Sequence, residues 1–132
     1  MEKATLGIIG LGKMGSNLAL QALEKGYQIV GYSHTVNPAL QKSGFQLAET
    51  LADLVQKLPS PRIVFLYIPA GEAVDKILEQ LAEIVSPGDI IIDGGNSYWG
   101  DSIRRAEKLN QKGIYFVDCG TSGGVEGANR EM

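Results

Sequence analysis

The 132-residue chain is poor in the residues that build metal and disulfide scaffolds, with one cysteine and one histidine, and it has no basic excess. A single cysteine excludes an intrachain disulfide framework and a cysteine-rich zinc site, and it suits a reducing cytoplasm. No metal is expected. Twelve Lys and Arg against fifteen Asp and Glu leave a formal charge of −3, which gives no reason to expect nucleic acid or an acidic membrane as partner. No apolar run is long enough to span a bilayer, and Met1-Glu2-Lys3-Ala4-Thr5 before a short, glycine-broken run is not a signal peptide. Repeats, linkers and low-complexity segments are absent, so the length predicts one domain around one core. What the chain has in excess is glycine. There are 17, well above the usual share of about 7%, and they are clustered, as where backbone must approach something closely.

Hydrophobic patterning predicts alternating strands and helices. Leu6 to Ile9 is a strand-length apolar run ending at glycine, and Leu18, Ala19, Ala22 and Leu23 recur at helical spacing within a helix over 14–25. Gly26 is placed to end that helix, since glycine tolerates positive φ. Tyr27 to Tyr32 reads as a second strand, and Val36 to Gly44 as a short helix with Pro38 at its start. Leu47, Leu51, Leu54, Val55 and Leu58 predict an amphipathic helix over 47–58, closed by Pro59-Ser60-Pro61. Ile63 to Ile68 is the apolar run of a strand covered on both faces. A helix with Val74, Ile77, Leu78, Leu81 and Ile84 follows, then a strand over Ile90 to Ile92. Ile103, Ala106 and Leu109 predict the inner face of the next helix, and Tyr115 to Val117 the last strand. The expected fold is α/β, a Rossmann-type doubly wound and mostly parallel sheet with helices on both faces, over residues 1–132.

Gly10-Leu11-Gly12-Lys13-Met14-Gly15 follows the first strand and opens the first helix, the setting that turns a stray G-x-G-x-x-G into a dinucleotide-binding fingerprint. Gly10 permits the tight turn. Gly12 carries no side chain to keep a pyrophosphate from the helix N-terminus, and Gly15 allows close packing. An Asp or Glu about twenty residues on would read the ribose hydroxyls of NAD. Here the second strand runs into Ser33-His34-Thr35, and no acidic residue lies between Glu24 and Glu49. That favours NADP, whose 2′-phosphate a carboxylate would repel, with NAD as the alternative because no Arg grips the phosphate. His34 reads equally well as an exposed turn residue. Glycine clusters after the later strands, at 67–71, 94–97 and 120–127, would share the sheet's carboxyl edge and form a cleft.

With GLGKMGSN over Gly10 to Asn17, IIDGGNSYW over Ile91 to Trp99 and GTSGGVEGA over Gly120 to Ala128, the chain resembles the N-terminal domain of the decarboxylating 6-phosphogluconate dehydrogenase family across essentially its whole length. The first stretch is shared with the wider β-hydroxyacid dehydrogenase group, whose members proper tend to have Ser-Thr in place of Asn96-Ser97. The resemblance implies oxidation of 6-phosphogluconate by hydride transfer to the nicotinamide, loss of carbon dioxide, and ribulose 5-phosphate as product, within the pentose phosphate pathway. It implies that Gly10, Leu11, Gly12, Lys13, Met14 and Gly15 hold the pyrophosphate, and that Ser33, His34 and Thr35 face the 2′-phosphate. Ile68, Pro69 and Ala70 would line the nicotinamide half, and Asn96 would touch cofactor and substrate. Ser122, Gly123 and Gly124 would bind the sugar acid. The turn after the second strand lacks the Asn-Arg-Thr of many NADP-linked members. The family's lysine base, glutamate acid and all-helical dimerisation domain lie beyond Met132, so no catalytic residue is assigned here, and this chain is expected to bind nucleotide without turning over. Alternatives are the cofactor domain of a β-hydroxyacid dehydrogenase or reductase, and a non-catalytic nucleotide-binding module.

The other notable residues have structural readings. Cys119 is expected in the core. Asp93 and Asp118 are expected to cap the turns after their strands. Tyr98 and Trp99 either wall the pocket or anchor a helix. Arg104, Arg105 and Lys108 are expected on a solvated helix face, with Asp101 as the i,i+4 partner of Arg105.

Overall fold

The structure, a computed structural model, describes residues 4–33, 38–40, 44–59, 61–68, 71–95 and 99–118. Its elements are β1 (Thr5–Ile9), α1 (Lys13–Glu24), β2 (Gln28–Tyr32), a 3-10 turn (Pro38–Leu40), β3 (Phe45–Leu47), α2 (Leu51–Gln56), β4 (Ile63–Leu66), α3 (Glu72–Ile84), β5 (Ile90–Asp93), α4 (Trp99–Asn110) and β6 (Tyr115–Asp118). Every strand pair is parallel, in the order β3-β2-β1-β4-β5-β6. This is the Rossmann arrangement, in which strand order reverses between β1 and β4 and a crevice opens at their carboxyl ends.

Successive strand residues point to opposite faces, so β1 and β2 each feed two cores. Ile8 and Ile29 pack with Leu18, Ala19 and Ala22 of α1. Ile9 and Val30 pack on the other face with Leu54 of α2, Leu81 of α3 and Leu109 of α4. Gly26 ends α1 with φ +93°, as its sequence position predicts.

Three expectations are corrected. The helix expected over 47–58 begins only at Leu51. Phe45–Leu47 instead adds an edge strand to β2, with Ile29 opposite Phe45 and Gly31 opposite Leu47. Thr50 sets the boundary as N-cap: its hydroxyl accepts from the Asp53 amide at 3.0 Å, and Asp53 accepts in return from the Glu49 amide at 3.0 Å. Of the helix expected over 36–44, the described residues hold only the 3-10 turn.

The third correction concerns α4. It is turned so that Ser102, Arg105 and Leu109 are buried and Ile103 is 52% exposed. Arg105 is therefore not on a solvated face with Arg104 and Lys108, and its partner is Asp75 of α3 rather than Asp101. Arg104 takes Asp101, at 3.7 Å.

Helices stand on both faces of the sheet, as expected. Among the described residues α2, α3 and α4 line one face and α1 the other, so Tyr115 and Val117 of β6, in register with Ile90 and Ile92, stay exposed.

Candidate functional site

The crevice at the β1/β4 reversal is built from backbone. Gly10 leaves β1 with φ +93°, and its amide donates to the Tyr32 carbonyl at the end of β2 at 2.9 Å. A Cβ on Gly10 would strike the Tyr67 carbonyl of the loop after β4. A Cβ on Gly15 would strike the Gly10 carbonyl, so the first turn of α1 lies directly on the loop. Leu11 is buried in the core beside α1, and the buried Ser16 hydroxyl donates to its carbonyl at 2.7 Å, fixing the loop from beneath. The sequence motif contained Ser16 at Gly15+1, but nothing in its spacing marked that role.

Gly12 differs from its neighbours. It is exposed, its φ of −73° is ordinary, and a Cβ there would meet nothing within 4 Å. It is the N-cap of α1 and offers no capping side chain, and the first turn carries no acidic residue. The first amides of a helix have no partner within it. The Ser16 amide bonds the Gly12 carbonyl at 2.8 Å, which leaves the amides of Lys13, Met14 and Gly15 at the mouth of the crevice with the positive end of the helix dipole. Open space before uncapped amides is a place that an anion can enter. Lys13 is exposed and Met14 half-buried beside it.

Ser33 follows Tyr32, the residue tied to Gly10, and is half-buried at that edge. On the other side, the loops after β4 and β5 press together. The Tyr67 amide donates to the Ile9 carbonyl at 2.8 Å, and the Gly94 amide to the Leu66 carbonyl at 2.9 Å. The Tyr67 ring lies over Gly94, where a Cβ would sit 2.5 Å from ring carbons. Ile68 is half-buried, with its carbonyl 3.1 Å from where a Gly95 Cβ would be. Gly94 and Gly95 therefore accommodate the loop after β4, Gly94 the Tyr67 ring and Gly95 the Ile68 carbonyl, and Tyr67 was not singled out from sequence. Asp93, fully buried, accepts from the Gly95 amide at 2.9 Å and so caps its turn as expected. Asp118 accepts from the Ser102 hydroxyl at 2.7 Å, and the turn it is expected to cap lies outside the described residues.

The structure thus brings Gly10, Leu11, Gly12, Lys13, Met14, Gly15, Ser33 and Ile68 to one sheet edge. His34, Thr35, Pro69, Ala70, Asn96, Ser122, Gly123 and Gly124, with Tyr98 and Cys119, lie outside the described residues.

Three carboxylates are shifted; Asp53 is held below the usual range chiefly by its hydrogen bond from Lys57, and the other two stand apart from the crevice. Asp75 is held below the usual carboxylate range, chiefly by its hydrogen bond from Arg105. Burial pushes Asp89 up, but hydrogen bonds from the Arg62 and Ser86 amides, both at 2.8 Å, and from the Arg62 guanidinium at 3.1 Å outweigh it and bring it below that range. Asp89 precedes β5, at the amino edge of the sheet, so its role is to fasten that end. Among the described residues no group of His, Cys, Asp and Glu is placed to hold a metal, and no helix is long and apolar enough to cross a membrane.

Comparison with known proteins agrees with this geometry. Curated relatives named decarboxylating 6-phosphogluconate dehydrogenase include one from Bacillus licheniformis, 43% identical over 130 residues, covering 94% of this chain and 28% of its own. Another, from Rattus norvegicus, is 43% identical over 135 residues, covering 97% and 28%. The chain thus spans about 28% of these relatives' length. The solved structure of Plasmodium falciparum 6-phosphogluconate dehydrogenase, described with its cofactor NADP+ and its substrate 6-phosphogluconate, superposes with a TM-score of 0.81 at 34% identity, over 94% of this chain and 28% of that one. Mycobacterium tuberculosis 3-hydroxyisobutyrate dehydrogenase shares the fold, with a TM-score of 0.78 at 21% identity over 96% of this chain and 43% of that one. Residues 5–132 match the family described as the NAD binding domain of 6-phosphogluconate dehydrogenase, and the chain belongs to that family.

Proposed function

We propose that this chain is the cofactor-binding part of a cytoplasmic oxidoreductase that converts 6-phosphogluconate to ribulose 5-phosphate and carbon dioxide, with NADP as cofactor, in the pentose phosphate pathway. The observation that carries the reading is the open space at Gly12 before the uncapped N-terminus of α1, at the reversal point of the sheet. The amides of Lys13, Met14 and Gly15 would hold the pyrophosphate there, with Leu11 and Gly10 shaping the turn. A bound nicotinamide supplies a hydride acceptor. Ser33, with His34 and Thr35, would receive the 2′-phosphate, since β2 ends without a carboxylate to repel it. Ile68, Pro69 and Ala70 would line the nicotinamide half, Asn96 would touch both ligands, and Ser122, Gly123 and Gly124 would donate to the sugar acid. In this reading a lysine base, a glutamate acid and an all-helical domain of a homo-oligomeric parent enzyme complete the site.

Parallel calorimetric titrations with NADP+ and NAD+ test the cofactor assignment. Tighter binding of NADP+ supports it. Preference for NAD+ keeps the family and overturns the Ser33-His34-Thr35 reading.

A further inference from the structure

A buried arginine needs a reason, because an apolar side chain would fill the same position without the cost of stripping water from a charge. Arg105 is only 2% exposed. Its Nε donates to Asp75 Oδ1 in the first turn of α3 at 2.9 Å, and its Nη2 donates to the Gly71 carbonyl at 3.3 Å. Gly71 is the N-cap of α3 and sits in the left-handed region, with φ +101°. A Cβ there would meet no neighbour, so the backbone turn, and not crowding, is what requires glycine. Three residues to the left of Gly71 in sequence is Ile68, whose carbonyl lies against Gly95 at the crevice. One turn before Arg105, on the same face of α4, the Ser102 hydroxyl holds Asp118 at the carboxyl end of β6. One face of α4 therefore fastens both the start of α3 and the end of β6.

We propose that Arg105 is a positioning residue for the nicotinamide side of the crevice, acting through Gly71. The proposal rests on the nucleotide reading above. The two arms of the guanidinium tie the first turn of α3 and the carbonyl of its N-cap, Gly71, to a single rigid group, a task that needs a planar fork and that lysine cannot perform with one ammonium. Arg104 provides an internal control. It meets the same Asp75 from the solvent side, at 3.3 Å and 55% exposed.

The test compares NADP+ with 2′,5′-ADP, which carries the adenosine 2′-phosphate but no nicotinamide. Affinities are measured below the melting transition of every variant, so that loss of stability does not enter them. Arg105→Met is expected to weaken NADP+ about tenfold, the change that follows if the binding-competent position of Gly71 falls to about one molecule in ten. The same variant should leave 2′,5′-ADP unchanged, and Arg104→Met should change neither. If Arg105→Met does not fold, Arg105→Lys keeps the charge beside Asp75, removes the second donor arm, and should give the same selective loss. Wild-type affinity for NADP+ in these Arg105 variants, or parallel weakening of both ligands, overturns the proposal. Failure of the unaltered chain to bind either ligand overturns the nucleotide reading itself, and the role of Arg105 with it.

Discussion

Replacing Gly12 by valine is expected to separate binding from folding. The new Cβ meets no protein atom within 4 Å, and the φ of −73° and ψ of −157° are open to a β-branched residue. The fold therefore loses only the small preference for glycine over valine at an N-cap, about 1 kcal/mol or less. Binding loses more, because the isopropyl group fills the space in front of the α1 amides. Two amide-to-phosphate hydrogen bonds at about 1.5 kcal/mol each amount to about 3 kcal/mol, on the order of a 100-fold rise in Kd for NADP+. Calorimetric titration and a thermal melt followed by circular dichroism read the two quantities on one sample. An affinity within a few-fold of the parent chain, with the fold intact, would refute the placement of the pyrophosphate.

Gly15→Ala should do the opposite, costing about 2 kcal/mol or more of stability because its methyl strikes the Gly10 carbonyl, and a chemical-denaturation midpoint would show it. Asp89→Asn should destabilise by about 3 kcal/mol, since it strands the Arg62 guanidinium in a largely buried pair, with the loss visible as a lower Tm. Asp75 and Asp89 both titrate below their ordinary range in the folded chain, so the stability they contribute is present above the unfolded carboxylate value near pH ~4. It is lost as pH falls through their lower folded values. Tm should hence be flat between neutral pH and about pH 5 and drop steeply below about pH 4, and Asp89→Asn should shallow that drop.

The fingerprint was legible in the sequence because each of its glycines answers a local demand: a left-handed turn at Gly10, open space at Gly12, close backbone at Gly15. Edge strand β3 was not. Leu47, Leu51 and Leu54 fall at helical spacing, and a three-residue strand cannot outweigh that period; only the Thr50-Asp53 cap marks the break. The burial of Arg105 was hidden for a different reason. Its partner Asp75 lies 30 residues away, and charge alone argues for solvent. Ile103 and Ser102 compete for the inner face of α4, and the ion pair with α3 settles the rotation in favour of Ser102 and Arg105. Helices on both faces were legible, because strands that are apolar along their whole length need cover on each side.

The central claim is that a nucleotide pyrophosphate lies on the N-terminus of α1. Amide chemical shifts recorded while NADP+ is titrated into the labelled chain test it residue by residue. The largest changes should fall on Gly12, Lys13, Met14 and Gly15, with Ser33 and Ile68 following. Changes centred elsewhere, for instance between α3 and α4, would contradict it.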